Sequence, residues 1–314
     1  MPVTYRRHQR GDAARLAALT VAAMPGDAIT TDWFTENVLL DVNFSDDGLI
    51  IAEQDGAPVG FIYATRARSG STLDPDGGWI TIGCVHPAAR NQGIGGELVE
   101  RAATHLARTG SAWVEFSGYP PAYFLPGLDT VAYPEAEALL TASGFTRRYT
   151  AAAMSMDLTG YATPAAVLDL DRTRQEEGYH LGTASADDLP EVISFATANL
   201  APDWGGAVRD SVLRHGRIDR VLLARDPGGA VVGFATYGAY RGLLDRFGPF
   251  GVHEQARGTG LGKLLLHRSL TAMRAEGAQL AWFLWTGEQS PAGHLYRSAG
   301  FTVTRRFHVL RRTL

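Results

Sequence analysis

A chain of 314 residues is long enough for two domains of ordinary size, each burying its own core. Its 45% hydrophobic and 20% charged residues are the balance of a globular protein, and no apolar run approaches the length of a membrane span. A net charge of −4 gives no general attraction to nucleic acid or to an anionic membrane.

In chain order, residues 3–8 read as a strand and 12–23 as a helix. The apolar runs 49–52 and 59–64 flank Asp55-Gly56, a hairpin turn by composition. Residues 79–85 form a strand that enters a polar, glycine-bearing loop, followed by a helix and a strand at 112–116. A helix at 135–143 and a strand at 149–158 close this half. Residues 164–177 read as a linking helix. The order then returns: strand 178–182, helix 187–200, strands 220–224 and 231–237 around Asp226-Pro227-Gly228-Gly229, strand 250–252, a second glycine-bearing loop, and strands 279–285 and 307–312. The division expected is a first domain over 1–160, a linker helix over 161–177 and a second domain over 178–314.

The return is also literal. Val85-His86-Pro87-Ala88-Ala89-Arg90-Asn91-Gln92-Gly93-Ile94-Gly95 recurs 167 residues later as Val252-His253-Glu254-Gln255-Ala256-Arg257-Gly258-Thr259-Gly260-Leu261-Gly262, and ten of the 26 positions from Val85 to Gly110 are identical at that offset. Each copy is an apolar strand end, an Arg-x-x-Gly-x-Gly loop and an amphipathic helix. The first N–H groups of a helix lack intrahelical partners and sit at its positive end, so they suit a phosphate. Glycine lets the backbone approach such a ligand, and arginine adds a charged fork. A Rossmann loop would need Gly-x-Gly-x-x-Gly, and a Walker loop Gly-Lys-Ser/Thr; neither copy has these. His86 and His253 recur together, which points to a shared structural task.

On these loops the chain resembles the GNAT superfamily of acetyl-CoA-dependent N-acetyltransferases. Two further matched blocks support the resemblance. Asp55-Gly56-Ala57-Pro58-Val59-Gly60-Phe61 and Gly228-Gly229-Ala230-Val231-Val232-Gly233-Phe234 look like its hairpin, and Gly144-Phe145-Thr146 and Gly300-Phe301-Thr302 like the turn after its last helix. The resemblance implies an α/β (α+β) protein of two GNAT folds in tandem, each a mixed, mostly antiparallel central sheet flanked by helices. It implies acetyl-CoA as co-substrate, held in the first half by Val85, Arg90, Asn91, Gln92, Gly93, Ile94, Gly95 and Gly96. In the second half the matching set is Val252, Arg257, Gly258, Thr259, Gly260, Leu261, Gly262 and Lys263.

It also implies a tyrosine four residues before the closing Gly-Phe that protonates the departing thiolate. Tyr296 stands there; Leu140 stands at the matching place in the first half. Glu288 is the candidate base of the second half and Glu115 of the first, since an ammonium must lose its proton before attack. The first half carries 11 extra residues within 117–129, and Tyr119, Tyr123 and Tyr133 are the candidates to replace the missing donor. No metal-ligand spacing or nucleophile elbow appears. The lone Cys84 cannot close an internal disulfide, and no signal-like segment is evident, so a cytoplasmic protein is expected. The expected reaction is acetyl transfer to a primary amine of a small molecule, in the second domain. Alternatives are a non-catalytic acyl-CoA-binding or sensing protein and acylation of a protein amine. Nothing in the sequence sets an oligomeric state.

Overall fold

The structure, a computed structural model, describes every residue except 1, 69, 70 and 72. The first half runs β1 (Thr4–Arg7), α1 (Asp12–Ala23), a single turn α2 (Thr31–Phe34), β2 (Leu49–Gln54), β3 (Ala57–Arg66), β4 (Gly77–Val85), α3 (Ile94–Arg108), β5 (Trp113–Phe116), α4 (Pro134–Ala142) and β6 (Thr146–Asp157). The second runs α5 (Ala165–Glu176), β7 (His180–Thr183), α6 (Leu189–Asn199), α7 (Pro202–His215), β8 (Val221–Arg225), β9 (Val231–Tyr237), β10 (Phe247–Val252), α8 (Leu261–Ala275), β11 (Leu280–Thr286), α9 (Pro291–Ala299) and β12 (Thr302–Thr313). The expected elements are present. The additions are the short α2 and α7, which starts with Pro202 at its first position and packs on α6. Gly205 is needed because a Cβ there would meet Thr197 and the Ile193 carbonyl of α6.

Two compact units result, residues 1–151 with 305–314, and residues 152–304. Strand β6 therefore begins in the first unit and ends in the second, β12 does the reverse, and α5 lies inside the second unit. In the first unit the strand order is β1-β2-β3-β4-β5-β12, antiparallel throughout except for β4 beside β5. The second unit holds β10-β9-β8-β7, all antiparallel, and a β6–β11 antiparallel pair.

The central strands β2, β3, β8 and β9 are covered on both faces, so they read as nearly continuous apolar runs. In β2, Leu49 and Ile51 pack with Leu16, Phe34 and Phe61, while Ile50 and Ala52 pack with Leu98 and Leu106 of α3. In the second unit Leu222 and Ala224 pack with Leu261, Leu265 and Leu270 of α8, and Val221 and Leu223 with Val192, Phe195 and Val208. Among the described residues no helix is long and apolar enough to cross a membrane.

Candidate active site

Each repeated loop folds the same way. His86 N donates to Val59 O and His253 N to Val232 O, both at 2.8 Å, which ties the strand end to the hairpin. The ring of His86 accepts from Ala88 N at 3.2 Å and that of His253 from Gln255 N at 3.3 Å, so both histidines cap the following turn. The shared task is therefore structural. Asn91 and Gly258 then take left-handed backbone angles (φ 61° and 82°), as do Gly93 and Gly260 (φ 81° and 85°), which lead directly into α3 and α8. Alternating turns of this kind present backbone N–H groups on one side. The N–H groups of Gly258 and Gly260 make no protein hydrogen bond among the described residues, and open space surrounds the Cα of Gly258. An anionic group such as a diphosphate fits this cradle.

Beyond each loop two strands part. β4 and β5 pair in parallel only from Gly77↔Trp113 to Ile80↔Phe116. β10 and β11 share no ladder; just before β10, Arg246 bridges Trp282 in parallel and Trp282 N donates to Asp245 O at 2.9 Å. From there to Val85 and to Val252 the facing edge of each strand carries no ladder. A wedge of this shape accepts an extended chain bearing amide groups. Register shifts sharpen the bend, between Tyr63/Ala64 on the partner of β4 and between Phe247/Phe250 on β10.

Tyr296 lies where the second wedge, its loop and α9 converge. A Cβ at Gly262 would stand 3.5 Å from Phe250 and Val252 and 3.7 Å from Leu295. The Tyr296 ring is centred 4.4 Å from that of Phe283, 6.1 Å from Phe250 and 6.2 Å from Phe247. Tyr296 is 7% exposed, and burial raises the pKa of its phenol above the ordinary value. Its hydroxyl has no hydrogen-bond partner among the described residues, unlike a purely structural buried tyrosine. Glu288 sits in the turn before α9 and lies 3.8 Å from Arg297, the residue after Tyr296. Lys263 lies in the first turn of α8.

The first half is built otherwise. Leu140 is buried where Tyr296 has its counterpart, and Leu139 stands on Gly95 as Leu295 stands on Gly262. Arg90 donates to Val85 O and to Ala23 O, the last turn of α1, whereas Arg257 is 65% exposed with Glu254 3.7 Å away. Glu115 is no free base. It pairs with Arg311 at 2.8 Å at the closed end of the wedge, and burial, the larger influence, raises its pKa against that pairing. Tyr119 donates to Asp41 and Tyr133 to Asp27, so neither phenol is free to replace the missing donor. Burial pushes the Cys84 thiol up to about 12, which leaves it unreactive at neutral pH.

Two polar clusters of the first unit were not visible in the sequence. Asp41 accepts from Tyr63 and Tyr119, both at 2.8 Å, and Asn43 donates to Tyr119 at 2.7 Å. Arg305 of β12 spans Asp27 at 2.6 Å and Asp129 at 2.8 Å. The extra residues 117–129 join the core of this unit: Tyr119, Phe124 and Leu128 are buried, and Leu128 bridges to His308. The residues meet only through long-range folding; the one sequence signal was the aromatic and proline content of 117–129.

Two wedge-and-loop sites, each on a mostly antiparallel sheet between helices, define an acyltransferase fold built twice. A model described as "Acetyltransferase (GNAT) family" matches residues 18–117, and one described as "Acetyltransferase (GNAT) domain" matches residues 217–303. The chain belongs to the GNAT acetyltransferases and carries two domains of that family in tandem. A mycothiol acetyltransferase of Clavibacter michiganensis subsp. michiganensis is 26% identical over 267 residues, which cover 82% of this chain and 78% of the relative. Two solved structures show the same fold. One is the GCN5-related glucosamine N-acetyltransferase region of a fungal multi-domain GH3 β-N-acetylglucosaminidase (TM-score 0.81, 17% identity); the match covers 99% of this chain but 38% of that one. The other is a tandem GNAT protein from the clavulanic acid biosynthesis pathway (TM-score 0.66, 17% identity), covering 99% of this chain and 98% of that one.

Proposed function

We propose that the protein moves an acetyl group from acetyl-CoA directly to a primary amine of a small molecule, with catalysis in the second half of the chain. The observation that carries this reading is Tyr296: a buried phenol, unpartnered among the described residues, beside the open edge of β10 and the first turn of α8. Residues 257–263 would hold the diphosphate through the N–H groups of Gly258 and Gly260, the N-terminus of α8 and the exposed Arg257. The free strand edge at Val252 would hydrogen-bond the pantetheine arm. When bound, acetyl-CoA supplies an activated acyl group and a thiol leaving group.

Tyr296 would hold a proton at Oη for the departing sulfur. A phenol is protonated at neutral pH even at its ordinary pKa of about 10, and burial only raises that of Tyr296, while a thiol leaves as thiolate at about 8.5. The amine has to arrive unprotonated, and Glu288 is the candidate to take its proton, directly or through water. In the first half, Val85, Asn91, Gln92, Gly93, Ile94, Gly95 and Gly96 keep the loop, but Leu140 offers no proton and Arg90 is held by α1. That contrast favours an acyl-CoA-binding role there, without transfer. The mycothiol acetyltransferases support a small-molecule acceptor, and at 26% identity the acceptor is proposed only as a class. A cytoplasmic location accords with this reading.

A panel of small primary amines, assayed by thiol release and by mass of the acetylated product, tests it. Wild type and Gly93→Trp are expected to acetylate the same amine, and Gly260→Trp to lose that activity. Activity lost with Gly93→Trp and kept with Gly260→Trp would overturn the assignment to the second half.

A further inference from the structure

The helix α5, a linker by sequence, does more than connect. Arg174 Nε donates to the Thr259 carbonyl at 2.7 Å, and the same guanidinium contacts Glu177 at the end of α5. One turn earlier, Leu170 lies 2.8 Å from where a Cβ on Gly260 would be. Asp171, between them, anchors α5 to Arg268 of α8 at 2.6 Å. The first loop has no such support: no side chain stands within 4 Å of the Cβ position of Gly93, and the Gln92 carbonyl has no partner among the described residues.

The carbonyl of Thr259 and the N–H of Gly260 belong to one peptide plane and point in opposite directions. Fixing the carbonyl toward α5 therefore fixes the N–H away from it. That N–H makes no protein hydrogen bond among the described residues. Glycine at φ 85° is otherwise free to rotate this peptide, because it has no Cβ to resist.

We infer that Arg174 is a positioning residue for acetyl-CoA: it orients the Thr259–Gly260 peptide so that the second loop alone is preset for the diphosphate. This rests on the reading of residues 257–263 as the acetyl-CoA loop. Preset donors bind without the entropy cost of ordering a mobile turn, so the second loop is the tighter of the two.

Hydrogen–deuterium exchange against acetyl-CoA concentration tests this loop by loop. In wild type, amides 258–264 are expected to gain protection at lower acetyl-CoA than amides 91–97. Arg174→Met is expected to raise the half-protecting concentration for 258–264 about tenfold and to leave 91–97 unchanged. Arg174→Lys, which keeps a charged donor, should shift it less. With an accepted amine, the acetyl-CoA KM should rise in step while kcat holds. Unchanged midpoints in both variants would overturn the inference and spare the loop assignment. No protection of 258–264 in wild type would overturn that assignment itself. If Arg174→Met loosens α8 without ligand, Arg174→Lys decides alone: a shift supports the inference and its absence refutes it.

Discussion

Tyr296 packs its ring against Phe247, Phe250, Phe283 and Phe301, and no acceptor among the described residues takes its hydroxyl. Tyr119 and Tyr133 differ, since their phenols donate to carboxylates. His267 shows the other use of burial. It lies 2.7 Å from the Tyr161 hydroxyl inside α8, and desolvation, then Lys263, lower its pKa to about 4 from 6.5. A group neutral when folded and protonated when unfolded draws protons to the unfolded chain, so stability is present above about pH 6.5 and is lost as pH falls toward 4. Urea unfolding at pH 7 and pH 5 should show an acid loss on the order of 2 kcal/mol in wild type that His267→Gln removes. Equal acid losses in the two proteins would contradict this. Tyr296 was legible from its place before Gly300-Phe301; its freedom from partners was not, because that depends on which aromatic residues fold around it.

At the scale of elements, the strand–loop–helix unit was the most legible part of the chain, because its φ > 0 glycines, its capping histidine and its helical periodicity are all local. Asp55-Gly56 was equally local: both residues take positive φ, as a two-residue hairpin turn requires. The support of one loop by α5 was not local, and it predicts unequal costs for equal substitutions. Gly93→Ala meets no neighbour and should cost about 1–2 kcal/mol for the left-handed backbone alone. Gly260→Ala bears the same backbone cost and also presses on Leu170, so it should destabilise more. Chemical denaturation of the pair checks the order, and equal losses would show that α5 yields to the added methyl. Helix α7 has no counterpart in the expected order; its Pro202 stands at a first helical position, where proline is favourable.

For the whole molecule, the sequence repeat and the compact units differ by an exchange. The repeat counts 1–160 and 178–314, whereas residues 305–314 pack in the first unit and 152–157 in the second. Two strands with the same place in two copies of one pattern carry no sign of which β-edge each will meet, so this was beyond reading from composition. In the first unit β12 pairs with β5 from Leu310↔Phe116 to Thr313↔Trp113, and Arg305 and Arg311 neutralise Asp27, Asp129 and Glu115. Removing 305–314 leaves those largely buried carboxylates without their guanidinium partners and destabilises the first unit. The truncated chain should therefore exchange its β5 and 117–129 amides freely. Wild-type protection there would contradict a shared fold.

The account turns on a proton held by one phenol in the second unit. Steady-state acetyl transfer by Tyr296→Phe, with any amine that wild type accepts, tests this most directly, because the substitution removes a single oxygen from a well-packed ring. The expected result is a fall in kcat on the order of 10²–10⁴-fold with the acetyl-CoA KM and the melting temperature little changed. A variant that turns over as wild type does would contradict the role of Tyr296.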